Sequence, residues 1–174
     1  SSDGLIAIWL GHGSTMADAV KFLRKITVQV GDTSHTGKLF AYDSQTGAAI
    51  VRIDAAGLPF VSISDDPIAT NRRLMVHARF AGQEKPMPVS LPVWVVESRF
   101  KLGNQEGFFA VTEASQNSIN EEYAGAPIVT ASGQLQGILA ENEGILFGPA
   151  IKPEDPQPRR AAAVPASVIR QLLK

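Results

Sequence analysis

The chain of 174 residues contains no cysteine, which removes a disulfide framework and any thiolate metal site as sources of stability or chemistry. It has no excess of either charge: Lys plus Arg number 16 and Asp plus Glu 17. No overall field therefore draws it to nucleic acid or to an anionic membrane, and neither is an expected partner. Long apolar runs are missing too. The stretch Leu5–Leu10 is far shorter than the roughly 18–20 residues that span a bilayer, and no basic segment precedes it. The segment itself is expected to make no membrane contact. Aromatic residues are few, and the three histidines His12, His35 and His77 are the only imidazoles.

What is present fits one well-filled core, since 44% of the residues are hydrophobic and the length suits a single domain. Most segments are short, rich in Val, Ile and Thr, and bounded by Gly, Pro, Asp or Ser, the pattern of an all-β sandwich or barrel. Strands are expected at 5–10, 26–30, 38–42, 48–54, 74–79, 89–96, 107–112, 127–130 and 135–140. Helical periodicity marks Met16–Arg24 and Ser167–Leu173. Between Ile53 and Leu74 the alternation lapses, as in a crossing between two halves. The proline-dense run Lys152–Arg160 forbids a central strand and reads as an exposed extended loop.

Three stretches carry a resemblance. Lys38-Leu39-Phe40-Ala41-Tyr42-Asp43-Ser44-Gln45-Thr46-Gly47-Ala48-Ala49-Ile50-Val51-Arg52-Ile53 with Gly57-Leu58-Pro59, Ile119–Val129 with Gly133–Ile138, and Ala163-Val164-Pro165-Ala166-Ser167-Val168-Ile169 stand in the order of motifs of HtrA/DegP-type serine proteases. The chain thus resembles that family from about Ile26 to its end. The resemblance implies a trypsin/chymotrypsin-like double β-barrel with a C-terminal helix. It divides the chain into a first barrel over 1–66, a crossing over 67–73, a second barrel over 74–160, and a closing strand and helix over 161–174. It also implies a periplasmic or otherwise extracytoplasmic setting and no cofactor.

Laid on this sequence, the family's catalytic positions are changed. Acyl transfer needs a hydroxyl nucleophile, an imidazole base and a carboxylate that orients it. The nucleophile position falls on Ala124, whose methyl cannot attack a carbonyl, and the orienting carboxylate falls on Gly47; Asp43 and Asp54 lie nearby but out of register. A designed Ser→Ala change would account for Ala124 alone. The base falls either on Asp18 or, with an insertion before the next strand, on His12. The oxyanion turn is altered as well, with Glu122 and Tyr123 before Ala124 and Gly125 after it. A Cβ resists glycine-only conformations, and a carboxylate opposes a developing oxyanion.

The resemblance with these losses implies a catalytically inactive homologue that binds a protein or peptide, acts as a scaffold or regulator, and assembles with related proteases or with copies of itself. An active protease captured with its nucleophile replaced, and a metal-binding domain using His12, His35 or His77, are the alternatives. None of the histidines has the spacing of a helical zinc motif. Arg72-Arg73 and Arg159-Arg160 are basic pairs that could grip an acidic partner or a phosphate, although such pairs in loops are ordinarily solvated. Trp9 and Trp94 read as core residues.

Overall fold

The computed structural model describes residues 3–11, 20, 23, 26–79, 88–102, 105–113, 123–140 and 160–174. Ten strands and one helix make up these residues: β1 Leu5–Trp9, β2 Ile26–Val30, β3 Thr33–Tyr42, β4 Ala48–Ile53, β5 Arg73–Arg79, β6 Pro88–Leu102, β7 Gln105–Glu113, β8 Pro127–Val129, β9 Leu135–Leu139, β10 Arg160–Pro165 and α1 Ala166–Leu172. The first four form a sheet in the order β1-β4-β3-β2, and the other six close into a barrel in the order β10-β7-β6-β5-β8-β9. Every pairing between these strands is antiparallel.

Period-two alternation decides which face each strand buries. Leu74, Val76, Val93, Val95, Phe109, Val111, Ile128, Leu139, Ala161 and Ala163 point into the closed barrel and form its core. The opposite faces of β7, β9 and β10 supply Phe108, Ile138, Ala162 and Val164 to a second core shared with Ala48 and Ile50 of β4 and with Ala166 and Ile169 of α1. The barrel is thus apolar inside and also, on one flank, outside, where the four-stranded sheet and the helix cover it. This explains why β9 and β10 are buried on both faces and why small residues are used there. A Cβ on Gly137 would lie 2.5 Å from the Val164 carbonyl oxygen and 2.8 Å from the Phe109 ring.

The segment between β4 and β5 runs along the covered flank. Ile63 makes a parallel bridge to Leu135, with the Ser64 amide donating to the Leu135 carbonyl and the Leu135 amide to that of Ser62, both at 2.8 Å. Gln136 donates its Nε2 to the Asp66 carbonyl at 3.0 Å. Arg170 of α1 ion-pairs with Asp65 and donates to the carbonyls of Ile63 and Ser64, each at 3.3 Å. Helix, crossing segment and barrel are joined at this one place.

Several strands exceed the expected bounds. β3 begins at Thr33 because Val30 and Thr33 pair across a two-residue loop, Gly31-Asp32, with Gly31 at φ +58°, a conformation suited to tight hairpins. β6 extends to Leu102 through three shifts in its register with β7. The helix expected over Met16–Arg24 lies outside the described residues apart from Val20 and Leu23. The helix expected at the C-terminus is α1, displaced by one residue.

Candidate functional site

Two of the positions that the resemblance aligned with a catalytic centre, Gly47 and Ala124, lie near the end of β1, where the sheet meets the barrel. On one side stands the β3–β4 hairpin loop. The Asp43 amide donates to the Ala48 carbonyl and the Gly47 amide to the Asp43 carbonyl, both at 2.8 Å, leaving Ser44–Gly47 as a four-residue loop. Gly47 closes it at φ +78°, the left-handed conformation that such loops place before the returning strand and that a side chain resists. The Asp43 carboxylate is held inside the loop, accepting from the Thr46 amide at 3.1 Å and the Thr46 hydroxyl at 2.5 Å. That carboxylate organises its own turn and points at no imidazole among the described residues.

On the other side stands the turn from Tyr123 to Ala126. The Ala126 amide donates to the Tyr123 carbonyl at 2.9 Å and Gly125 has φ +81°, which together define a type II turn with its required glycine at the third position. Tyr123 and Ala126 are buried in the barrel core, while Ala124 projects from the corner into solvent. The Gly125 N–H is spent on the Leu139 carbonyl at 2.8 Å. Tyr123 therefore anchors the turn rather than lining it.

Trp9 links the two. Its backbone pairs with Ala48, its indole N–H donates to the Thr46 carbonyl at 3.0 Å, and its amide nitrogen lies 3.9 Å from where a Cβ on Gly125 would stand. The next residue, Leu10, donates its amide to the Gly47 carbonyl at 2.9 Å. Gly47 and the Ala124–Gly125 turn, far apart in sequence, so flank the same strand end. Tyr42 donates its hydroxyl to the Gly11 carbonyl at 3.0 Å, just beyond the same strand end, and burial, reinforced by the neighbouring Asp43 charge, pushes its pKa up. Trp9 reads from the sequence as a core residue, and nothing in the spacing of Trp9, Tyr42 and Thr46 marks them as neighbours.

The remaining candidates are placed as follows. His12, Asp18, Glu121 and Glu122 lie outside the described residues. His35 sits on β3 opposite Val28, and His77 on β5 opposite Ser90, whose hydroxyl lies 2.8 Å from its Nδ1. These two histidines belong to different sheets. Among the described residues no group of three His, Asp or Glu side chains converges as a metal site. Of the basic pairs, Arg72 is engaged by Asp66 at 2.6 Å, Arg73 stacks over Trp94, and Arg159 lies outside the described residues.

A closed six-stranded barrel with a four-stranded sheet against its flank is an arrangement shared with solved structures. The active form of the Rv3671c protease from M. tuberculosis superposes with a TM-score of 0.67 at 16% identity, over 99% of this chain and 69% of that one. The fold is that of a trypsin-like serine protease. The MamO protease domain from Magnetospirillum magneticum superposes at a TM-score of 0.64 and 18% identity, over 99% of this chain and 84% of that one. The HtrA-type protease AlgW, solved with a decapeptide, does so at 0.68 and 19%, over 99% of this chain and 49% of that one. No protein-family profile and no curated protein sequence matches the chain. The trypsin-like likeness is one of fold, and function is decided by the residues that stand at the site.

Proposed function

We propose that this trypsin-like domain is not a protease but a binding or regulatory module that holds a protein or peptide segment without cleaving it. The observation that carries this reading is Ala124 at the exposed corner of the type II turn. The turn is built and anchored, yet the side chain it presents at its exposed corner is a methyl group. Gly47 supports the same reading, since its position is a left-handed loop glycine rather than a carboxylate that could orient a base. In sequence, glutamate at position 122, where the resemblance has glycine, is a third departure from what hydrolysis requires.

The fold supports a binding role. A trypsin-like neighbour is solved with a decapeptide, and the sheet–barrel junction here carries a half-buried indole. Extended segments are held in such places by main-chain hydrogen bonds that need no triad. The partner is a protein or peptide, a related protease among the candidates, and the setting is periplasmic or otherwise extracytoplasmic. No helix of the described residues is long and apolar enough to cross a membrane.

The experiment is retention without turnover. Unfolded casein incubated with the protein is expected to co-elute with it, while mass spectrometry after prolonged incubation finds only intact chains. Fragments that increase with protein concentration would overturn the inactive reading, and casein that elutes alone would overturn the binding one.

A further inference from the structure

The outer face of the barrel brings a serine and a histidine together on two neighbouring strands. Val76, Ala78 and Leu91 pack against the barrel core, so their alternating neighbours His77 of β5 and Ser90 of β6 point outward. The register of β5 with β6 sets these two residues directly opposite one another. Their side chains meet, with His77 Nδ1 2.8 Å from Ser90 Oγ, and both residues are exposed. With the ring proton on Nε2, which has no hydrogen-bond partner among the described residues, Nδ1 accepts from the Ser90 hydroxyl. The next row on the same face is Met75 opposite Pro92, both half-buried, so the pair is bordered on one side by apolar surface. Neither His77 nor Ser90 is among the positions that the resemblance aligned with a catalytic centre.

We infer that Ser90 is an acyl-acceptor site, a hydroxyl primed by His77 to take an acyl group from an activated ester, independently of the function proposed above. A serine hydroxyl alone is a weak nucleophile, and an imidazole within hydrogen-bond reach takes its proton as the new bond forms. In the step, Ser90 Oγ bonds to the carbonyl carbon of the ester while its proton passes to His77 Nδ1. The tetrahedral intermediate then expels the leaving oxygen, which takes that proton. The products are O-acyl-Ser90, an alcohol or phenol, and a neutral imidazole. Among the described residues His77 has no carboxylate beside it to orient the ring, so the donor must bring a good leaving group, as an aryl ester does. An amide, whose nitrogen leaves poorly, is not a donor. The chemistry is therefore modification of one side chain, not proteolysis.

Trypsin supplies the test with an internal control. Cleavage after Arg79 and Arg99, with Lys85 protected by Pro86, releases residues 80–99, which hold both Ser90 and Ser98. Ser98 is exposed on the same strand. The folded protein is treated briefly with p-nitrophenyl acetate, digested, and the acetyl group on this peptide located by tandem mass spectrometry. Ser90 is expected to carry about 100-fold more label than Ser98, the low end of what a positioned general base contributes. His77→Gln, an exposed change checked for unaltered thermal unfolding, is expected to bring the two serines to parity, as is labelling of the parent unfolded in urea. Equal labelling of Ser90 and Ser98 in the folded parent would overturn the inference, as would a ratio that His77→Gln leaves unchanged. An acetyl group on His77 with Ser90 unlabelled would overturn it too. The binding function is read separately, on casein, so failure of either leaves the other standing.

Discussion

Gly47 offers a graded test of how poorly this loop accepts a side chain, and a carboxylate above all. The residue is buried, has φ +78°, and is bonded at both ends of its peptide unit, to Asp43 and to Leu10. A side chain here meets the left-handed penalty of about 1–2 kcal/mol, with Asn and Asp at the lower end because they tolerate that region. Gly47→Asn is thus expected to cost about 0.5–1 kcal/mol and Gly47→Ala about 1–2 kcal/mol. Gly47→Asp adds burial of a charge close to the Asp43 carboxylate, bringing its cost to about 2–4 kcal/mol. For a domain of this size each kcal/mol lowers Tm by about 2–4 °C, so Gly47→Asp should melt roughly 4–16 °C below the parent at pH 7. Burial and the like charge raise the folded-state pKa of the introduced carboxyl. Its penalty is therefore absent below the unfolded-state value and grows as pH rises through the folded one, so the Asp and Asn variants converge on acidification. Differential scanning calorimetry at pH 7 and pH 4 reads all three. Equal stability of the parent and Gly47→Ala would refute the loop argument, and a pH-independent gap between Asp and Asn would refute the electrostatic part.

Other outcomes follow from the same structure. Gly137→Ala drives a methyl into the Val164 carbonyl and the Phe109 ring, and should cost about 3 kcal/mol in urea unfolding; a change below about 1 kcal/mol would mean β9 and β10 are less closely packed than described. Arg170→Ala removes two bonds to backbone carbonyls as well as an ion pair and should cost about 1–2 kcal/mol. Asp65→Asn should cost less than about 0.5 kcal/mol, because the Asp65 side chain is 84% exposed; equal losses would contradict this split. Because the Tyr42 pKa is raised in the fold, its folded state binds the proton more tightly than the unfolded state does. Stability is then held below pH 10 and declines as pH rises through the folded value. Tyr42→Phe should flatten that alkaline decline in a pH series of melting curves while lowering stability by about 1 kcal/mol at neutral pH, through loss of the bond to Gly11.

The strands whose apolar residues stand between clear turn signals were the most readily legible. β4 and β5 show apolar residues bounded by turn signals, and both were expected to within a residue. The first half of β3 was missed because Thr33-Ser34-His35-Thr36 is polar throughout. It forms through a hairpin with β2 rather than through burial, although Gly31-Asp32 is a two-residue loop signal. The far end of β6 escaped for a similar reason: Glu97–Lys101 pairs with β7 across irregular register and carries no regular alternation. Alanine-rich β10 has little strand propensity and was expected only from the resemblance of its Ala-Val-Pro run. It is held because two cores meet across it and large side chains would not fit. Convergence was the least legible feature of the candidate site. Nothing in the spacing of Gly47, Trp9 and Ala124 tells that a single strand end joins them, and the meeting of His77 with Ser90 depends on the register of β5 with β6.

The central claim is that the built and anchored turn at Ala124 no longer belongs to a working protease. Ala124→Ser, purified beside its parent and assayed on casein and a fluorogenic peptide, tests it most directly, since a hydroxyl is then restored where the resemblance places the nucleophile. With Gly47 in place of an orienting carboxylate, turnover is expected to remain indistinguishable from the parent, far below the 1–10³ s⁻¹ typical of enzymes. Serine-dependent turnover, absent from the parent and abolished by a serine-directed phosphonate, would contradict the account.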